Sequence, residues 1–251
     1  MNGSNGMDQK VRERDRGDRS AEWFVPTFGP QKFRIMMGLL FLPYTAMVLA
    51  FCVIGSMLAD PIHWDRVFSI VGIYFLGLGV AAHALDALGG KGDKPWGSVF
   101  TRPQLWGMAL TALALAYLIA IYFMVLYVPW LSFVAILEGF FVFAYNLEWF
   151  HGRFHTDKWF AFSWGFLPVL AGYIMQTNRV STEACVFGLS MALFSAVEIK
   201  ASRPYKALRK RSSTLKENEK DLMARYEAIL KSISLGVILL AVGFSIWRIF
   251  H

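Results

Sequence analysis

The chain alternates between long apolar stretches and shorter polar segments. Each apolar stretch is long enough, or nearly so, to cross about 30 Å of hydrocarbon as an α-helix. The fifth and sixth are the shortest and contain Ser, Gly or Pro168, which is typical of helices that pack against neighbouring helices. We predict seven membrane-spanning helices, over residues 35–58, 67–88, 105–126, 128–150, 159–176, 184–199 and 233–250.

Composition supports this interpretation. Of 251 residues, 56% are apolar and only 17% are charged, whereas soluble domains carry about 25% charged residues. Both cysteines, Cys52 and Cys185, lie inside apolar stretches, which excludes a disulfide framework. The predicted fold class is therefore all-α, a transmembrane bundle of about seven helices. We expect residues 1–33 to form a disordered cytoplasmic tail and residues 34–251 to form one transmembrane domain, with a cytoplasmic loop over residues 203–231.

The positive charges fall almost entirely on one side of the predicted membrane. Of the 25 Lys and Arg residues, 22 lie in the tail and in the segments that follow the second, fourth and sixth stretches. Only Arg66, Arg179 and Arg248 lie on the other side. Since Lys and Arg favour cytoplasmic loops, we expect a cytoplasmic N-terminus and an external C-terminus. The net charge of +7 then reflects membrane topology, and we expect no nucleic-acid partner.

Ionisable residues gather where the even-numbered stretches end. Charged side chains in apolar helices are costly and usually face a cavity or a partner. Three separate parts of the chain place carboxylates at one expected membrane depth. The residues are His83, Asp86, Lys91, Asp93 and Lys94 after the second stretch, Glu148, His151, Arg153 and Lys158 after the fourth, and Glu198, Lys200 and Arg203 after the sixth.

These residue types suit a metal-diphosphate. His83 and Asp86 are three residues apart, as are Glu148 and His151, so each pair is expected to share a helix face. Carboxylates with imidazoles can hold a divalent metal ion, and the Lys and Arg residues beside them can neutralise phosphate. We predict a Mg²⁺ site formed by Asp86, Asp93, Glu148 and Glu198, with His83 and His151 as further candidate ligands.

Anchoring of helix ends at the membrane surface is the alternative explanation. For any one of these residues taken alone it is the preferred one, and it suffices for His63 and His251. His83 and His151 fit a ligand and a helix-packing hydrogen bonder equally well. The coincidence of Asp86, Glu148 and Glu198 favours a site.

One part of the chain resembles a known family. Residues 145–177, YNLEWFHGRFHTDKWFAFSWGFLPVLAGYIMQT, resemble the region between the fourth and fifth helices of the UbiA superfamily of membrane prenyltransferases, especially its menaquinone-pathway branch. The acidic residues that end the second and sixth stretches are similarly placed, and the resemblance covers roughly residues 33–203. It implies two aspartate-rich motifs, of the form NxxxDxxxD and DxxxD, which bind Mg²⁺ and a polyprenyl diphosphate.

The chain departs from both motifs. Asp86 matches the central aspartate of the first, but Ala82 and Gly90 stand at its other two positions, and Asp93 is the substitute nearby. The second motif is reduced to Glu198, with Ser202 four residues later. The family usually has nine spans and seven are predicted here, which implies a shortened fold.

The resemblance implies an integral membrane transferase that moves a prenyl or other lipid group from a diphosphate to a hydrophobic acceptor. Asp86, Glu148 and Glu198 would be catalytic, and Lys91, Lys94, Arg153, Lys200 and Arg203 would bind the diphosphate. We expect an apolar groove beside Ala161, Gly165 and Gly172 for the lipid tail. Two alternatives stay open: a non-catalytic homologue that serves as a subunit or scaffold of a membrane complex, and a membrane enzyme with a His/carboxylate metal site.

The charge distribution makes a testable prediction about topology. A reporter fused after His251 should lie outside the cytoplasm, and one inserted within residues 212–220 should lie inside. Accessibility of each reporter to a membrane-impermeant reagent in intact cells measures this. Finding both on the same side would contradict the seven-span topology.

Overall fold

The computed structural model describes residues 22–89 and 100–251, which fold as a bundle of helices. Within these ranges no residue forms a β-strand, which confirms the all-α prediction. The helices are α1 (Gln31–Leu39), α2 (Leu42–Met57), α3 (Trp64–Gly89), α4 (Arg102–Leu126), α5 (Leu131–Asn146), α6 (Asp157–Ala161), α7 (Leu167–Thr177), α8 (Thr182–Arg209) and α9 (Glu217–Phe250).

Several of these helices are suited to a membrane. In the described ranges α3, α4, α8 and α9 are each long and apolar enough to cross it, and α1 with α2 makes a fifth candidate if the bent pair is one span. α5 is apolar but only 16 residues long. Large apolar side chains such as Leu118 and Phe133 point outward from the bundle, as lipid-facing residues do. The chain is a multi-pass membrane protein.

The first predicted span is two helices rather than one. α1 and α2 meet at an angle of 46°, and Phe41 between them has a left-handed backbone with φ of 43°. The cause is Pro43, which has no N–H to donate and whose ring would clash with the carbonyl of Leu39 in a continuous helix.

The next differences concern the fourth and fifth stretches. α5 ends at Asn146, four residues before the predicted boundary at residue 150. The fifth stretch is formed by α6, a π-helical turn over Phe162–Phe166, and α7. Pro168 comes directly after the π turn, in the first turn of α7, and a π turn is one of the ways in which a helix accommodates a proline without an N–H.

The polar segment over residues 203–231 is mostly helical. α8 continues to Arg209 and α9 begins at Glu217, so only a short connection with one 3₁₀ turn separates them. The expected loop is therefore largely an extension of two membrane helices.

The end of the predicted tail packs against the bundle. The Tyr205 hydroxyl donates to a carboxylate oxygen of Glu22 at 2.9 Å, and Glu22 is buried. The Lys231 ammonium lies 5.1 Å from the ring centre of Trp23. This segment, with Trp23, Phe24 and Val25, is richer in apolar residues than the preceding Gly-, Asp- and Arg-rich sequence, and Val25 is buried. Residues 1–21 lie outside the described ranges.

Helices α2 and α7 cross at the centre of the bundle at very short range. A Cβ atom on Gly55 would clash with the carbonyl of Val169, and one on Gly172 would clash with the carbonyl of Cys52. Ser56 between them donates a hydrogen bond from its hydroxyl to the Gly172 carbonyl, at 3.3 Å. Small residues of this kind let helix backbones approach closely in membranes.

This crossing predicts a position-specific effect of alanine. Gly172→Ala should force α2 and α7 apart and destabilise the protein by about 1–3 kcal/mol, the usual range for overpacking a core. Thermal unfolding in detergent measures the effect. Gly72→Ala is the matched control, since nothing lies within 4 Å of its Cβ position and alanine favours helix more than glycine does. Equal melting temperatures for the two variants would contradict the close crossing.

Candidate functional site

Four helices bring charged and polar groups together at one end of the bundle, which we call the polar end. The last turn of α3 abuts the end of α5, where a Cβ on Gly89 would clash with the carbonyl of Asn146. α6 begins at this end and α8 passes beside it. The Arg203 guanidinium of α8 forms an ion pair with the Asp157 carboxylate of α6 at 2.9 Å.

Tyr145, the second-last residue of α5, connects these groups. Its hydroxyl lies within electrostatic range of both Asp86 and Arg203. The His155 ring stacks on the Tyr145 ring at 4.5 Å between centres, and His155 Nδ1 lies 3.0 Å from the Tyr145 carbonyl oxygen. Asp86 and Arg203, predicted from separate stretches, therefore both act electrostatically on one phenol.

Glu198 is enclosed within the bundle. It is only 1% exposed, and its Oε1 atom has no hydrogen-bond partner in the described part of the chain. Ser202, one turn later on the same face of α8, also has a buried hydroxyl without a partner there. The next turn of this face carries Lys206, whose positive charge acts on Glu198.

Aromatic rings surround this face of α8. The Lys206 ammonium lies 4.5 Å from the ring centre of Phe41 and 5.5 Å from that of Tyr44. Cations are attracted to the faces of aromatic rings. This face of α8 therefore carries a buried carboxylate and, two turns later, a cation that rests on two rings.

His83 packs into the same region. Its ring stacks on Phe41 at 5.3 Å and meets Trp164 edge-on at 5.5 Å. The Thr45 hydroxyl donates to the Leu40 carbonyl, and its oxygen lies 3.4 Å from His83 Nε2. His83 is thus a packed histidine with a polar neighbour, one of the two roles that its sequence context allows.

The helix-face argument for Glu148 and His151 is wrong. α5 ends before both residues, and each has a left-handed backbone, with φ of 52° and 61°. The chain reverses direction here to begin α6, with Gly152 also at positive φ. The i, i+3 spacing of Glu148 and His151 therefore does not place them on one helix face. The His151 side chain is exposed.

The basic residues divide between the polar end and a lateral groove. Lys158 and Lys200 are exposed and line one end of a groove of about 450 Å³ between α6 and α8. Arg153 is also exposed but does not line this groove. The remaining groove walls are Asp157, Ala161, Leu189, Ala192, Leu193 and Ala196.

The groove expected for the lipid tail is thus found beside Ala161, but it lies beside neither Gly165 nor Gly172. Gly165 is in close contact with α8, since a Cβ there would lie 2.6 Å from the Ala192 Cα. Gly172 contacts α2 in the central crossing. Both glycines bring helices together, so neither leaves room for a lipid.

The predicted ligand set is only partly covered by the described residues. Lys91, Asp93 and Lys94 lie outside them. Within residues 22–89 and 100–251, no three His, Cys, Asp or Glu side chains are grouped as metal ligands. Asp86 and Glu198 remain candidates, from different helices of the polar end.

Sequence reasoning missed three contributors, Tyr145, Asp157 and Lys206. The spacing of Glu198, Ser202 and Lys206 at intervals of four was the one available signal, because it places all three on one helix face. Asp157 gave no signal, since its partner Arg203 is 46 residues away in the sequence.

No protein-family model matches the chain, and no match is found among curated proteins or solved structures.

Because Glu198 is buried, removing its carboxylate is predicted to raise stability and to impair function. A buried carboxylate oxygen without a partner costs about 1–3 kcal/mol, so Glu198→Leu should raise the unfolding temperature in detergent by a few degrees while removing any binding that needs the carboxylate. Glu183→Gln, at the exposed start of the same helix, should instead lower the melting temperature slightly, because the Glu183 carboxylate accepts hydrogen bonds in the first turn of the helix. A clear fall in the melting temperature of Glu198→Leu would show that the carboxylate stabilises the fold.

Proposed function

We propose that this chain is a UbiA-like membrane transferase that moves a prenyl or lipid group from a diphosphate donor to a hydrophobic acceptor. The observation that carries the proposal is the groove between α6 and α8. Lys158 and Lys200 stand at its polar end with Asp157, whose charge is already paired with Arg203, and its remaining length is lined by Ala and Leu.

The groove matches the shape and charge of a lipid diphosphate. From Lys200 to Leu189 it follows α8 for eleven residues, about 16 Å at 1.5 Å per residue. A diphosphate at Lys158 and Lys200 would leave its tail along Ala196 and Leu193. Lysine binds phosphate as a point charge, and an apolar chain against Ala and Leu gains from leaving water.

The polar end supplies groups that suit the departure of a diphosphate. Arg203 lies between the Asp157 carboxylate and the Tyr145 hydroxyl, and a cation placed there would stabilise negative charge that develops on a leaving group. Elsewhere in the bundle the rings of Phe41 and Tyr44 already receive the Lys206 ammonium, and rings of this kind would shield an allylic cation by cation–π contact.

Magnesium fits the described residues only in part. Glu198 offers a buried oxygen without a partner, and Asp86 lies at the same end of the bundle, but no third ligand joins them within the described ranges. A Mg²⁺ requirement therefore stays a prediction, and the proposed roles of Lys158, Lys200 and Arg203 do not depend on the metal.

The packing of His83 favours one alternative, a non-catalytic homologue that serves as a subunit of a membrane complex. His83 is held between two rings, and the remaining positions of the family's two motifs, one asparagine and two aspartates, carry Ala82, Gly90 and Ser202. A chain that kept the fold without the chemistry would tolerate these residues. The His/carboxylate metal enzyme receives no such support, since His151 is exposed outside any helix of the site.

Binding of geranylgeranyl diphosphate to the protein in detergent tests the proposal. The wild type should bind it saturably, and more tightly with Mg²⁺. Lys158→Gln combined with Lys200→Gln should weaken binding about tenfold, because each lysine contributes roughly 0.7 kcal/mol at an exposed site. Isothermal titration calorimetry measures both affinities.

Matched variants sharpen this experiment. Lys210→Gln removes one positive charge from an exposed position beyond the groove and should leave the affinity unchanged. Asp86→Ala should abolish the gain in geranylgeranyl diphosphate affinity that Mg²⁺ gives, whereas His63→Ala, at the opposite end of α3, should leave that gain unchanged. Absence of saturable binding in the wild type, together with co-purification of a stoichiometric membrane-protein partner, would support the subunit alternative instead.

A further inference from the structure

A second cavity lies within the apolar part of the bundle, between α3, α4 and α5, and the proposed transferase function does not use it. Its volume is about 60 Å³. Small residues make the space, among them Gly77 on α3, Ala116 and Ala120 on α4, and Ala135 on α5. At roughly 30 Å³ per water molecule, it holds only a few non-hydrogen atoms.

A single carboxylic acid, Glu138 of α5, lines this cavity. Its Oε1 atom accepts a hydrogen bond from the Tyr74 hydroxyl at 2.9 Å. Its Oε2 atom is buried and has no partner within the described part of the chain. The other hydroxyl in the cavity wall, on Tyr117, donates to the Ala135 carbonyl at 2.8 Å, so that hydroxyl's hydrogen is already used.

The surroundings make Glu138 a neutral acid when the cavity is empty. None of the described residues that line the cavity is Lys, Arg or His. An ionised carboxylate in such an apolar wall would lack a counter-charge, which costs far more than protonation. Because Oε1 accepts from Tyr74, the proton resides on Oε2, and that O–H is a donor without an acceptor.

We propose that this cavity binds the carbonyl-bearing end of an uncharged, lipid-soluble molecule, with the Glu138 Oε2–H group donating a hydrogen bond to the carbonyl oxygen. Tyr74 is a positioning residue, since its hydroxyl fixes the carboxyl group through Oε1. The small volume admits only the polar end of the molecule, and its chain extends into the hydrocarbon of the bilayer.

The site is separate from the polar end. Glu138 lies eight residues before Asn146 on α5, about 12 Å along the helix axis, in a region without the cations that characterise the polar end. An ionisable residue at this depth would be replaced by an apolar one if packing were its only role. The unused donor beside an open space is the specific reason to assign it to a ligand.

A long-chain methyl ketone with a ¹³C-labelled carbonyl tests this assignment in lipid nanodiscs. The wild type should bind the probe saturably, with the labelled carbonyl stretch moving to lower frequency in the infrared spectrum as it accepts a hydrogen bond. Glu138→Gln keeps an N–H donor of the same shape and should retain affinity within about threefold. Glu138→Leu should weaken binding about tenfold, the loss expected for one hydrogen bond.

Further variants keep the test decisive if Glu138→Leu does not fold. Ala116→Leu fills the cavity without touching the acid and should abolish binding while the carboxylic acid band of Glu138 remains. A long-chain primary amine of the same length should bind more weakly than the ketone. Equal ketone affinity in the wild type, Glu138→Leu and Ala116→Leu would overturn the proposal. The proposal would also fail if the wild type bound the amine more tightly than the ketone and Glu138→Gln lost that preference.

Discussion

The close crossing of α2 and α7 is the contact on which the rest of the bundle depends. Gly55 and Gly172 each face a backbone carbonyl of the opposite helix, so neither position has room for a side chain. Within a bilayer the hydrophobic effect does not drive helices together, and close packing of this kind must do so. Because α7 follows α6 directly through one π turn, the crossing also fixes where α6 begins, and with it the ion pair between Asp157 and Arg203.

Two sites of opposite electrostatic character follow from this arrangement. At the polar end, helix termini meet and exposed cations stand beside carboxylates, so anionic ligands are favoured there. In the cavity between α3, α4 and α5, Glu138 has a tyrosine as its polar partner, and none of the described residues in the wall is a cation. Glu198 and Glu138 are both buried and each has one carboxyl oxygen without a partner among the described residues. They differ in that the charge of Lys206 acts on Glu198, which suits a charged ligand, whereas the wall around Glu138 suits an uncharged one.

The placement of residues expected from the sequence agrees with the structure where helices continue through the polar end, while the roles proposed for those residues stay predictions. Asp86 and Glu198 were predicted at one depth, and both lie on helices at the polar end. The same reasoning failed for Glu148 and His151 because a spacing argument assumes a helix, and α5 ends at Asn146. No residue in the run from 147 to 151 is Gly or Pro, and the one sequence signal of the turn, Gly152 at positive φ, comes only after both residues. The break at Phe41 is different, since Pro43 was a readable signal.

The sequence by itself determined that this is an all-α membrane protein, because long apolar stretches with few charges can satisfy their backbone hydrogen bonds in lipid only as helices or as closed barrels. It also determined which segments carry the acidic and basic residues. Tertiary structure alone decided which of them meet, since Asp157 and Arg203, or Tyr74 and Glu138, are separated by dozens of residues and joined only by helix packing. Gly165 and Gly172 show the physical reason most directly. Their positions in the sequence fit a groove for a lipid and a close contact between helices equally well. Only the position of the neighbouring backbone decides that they form close contacts.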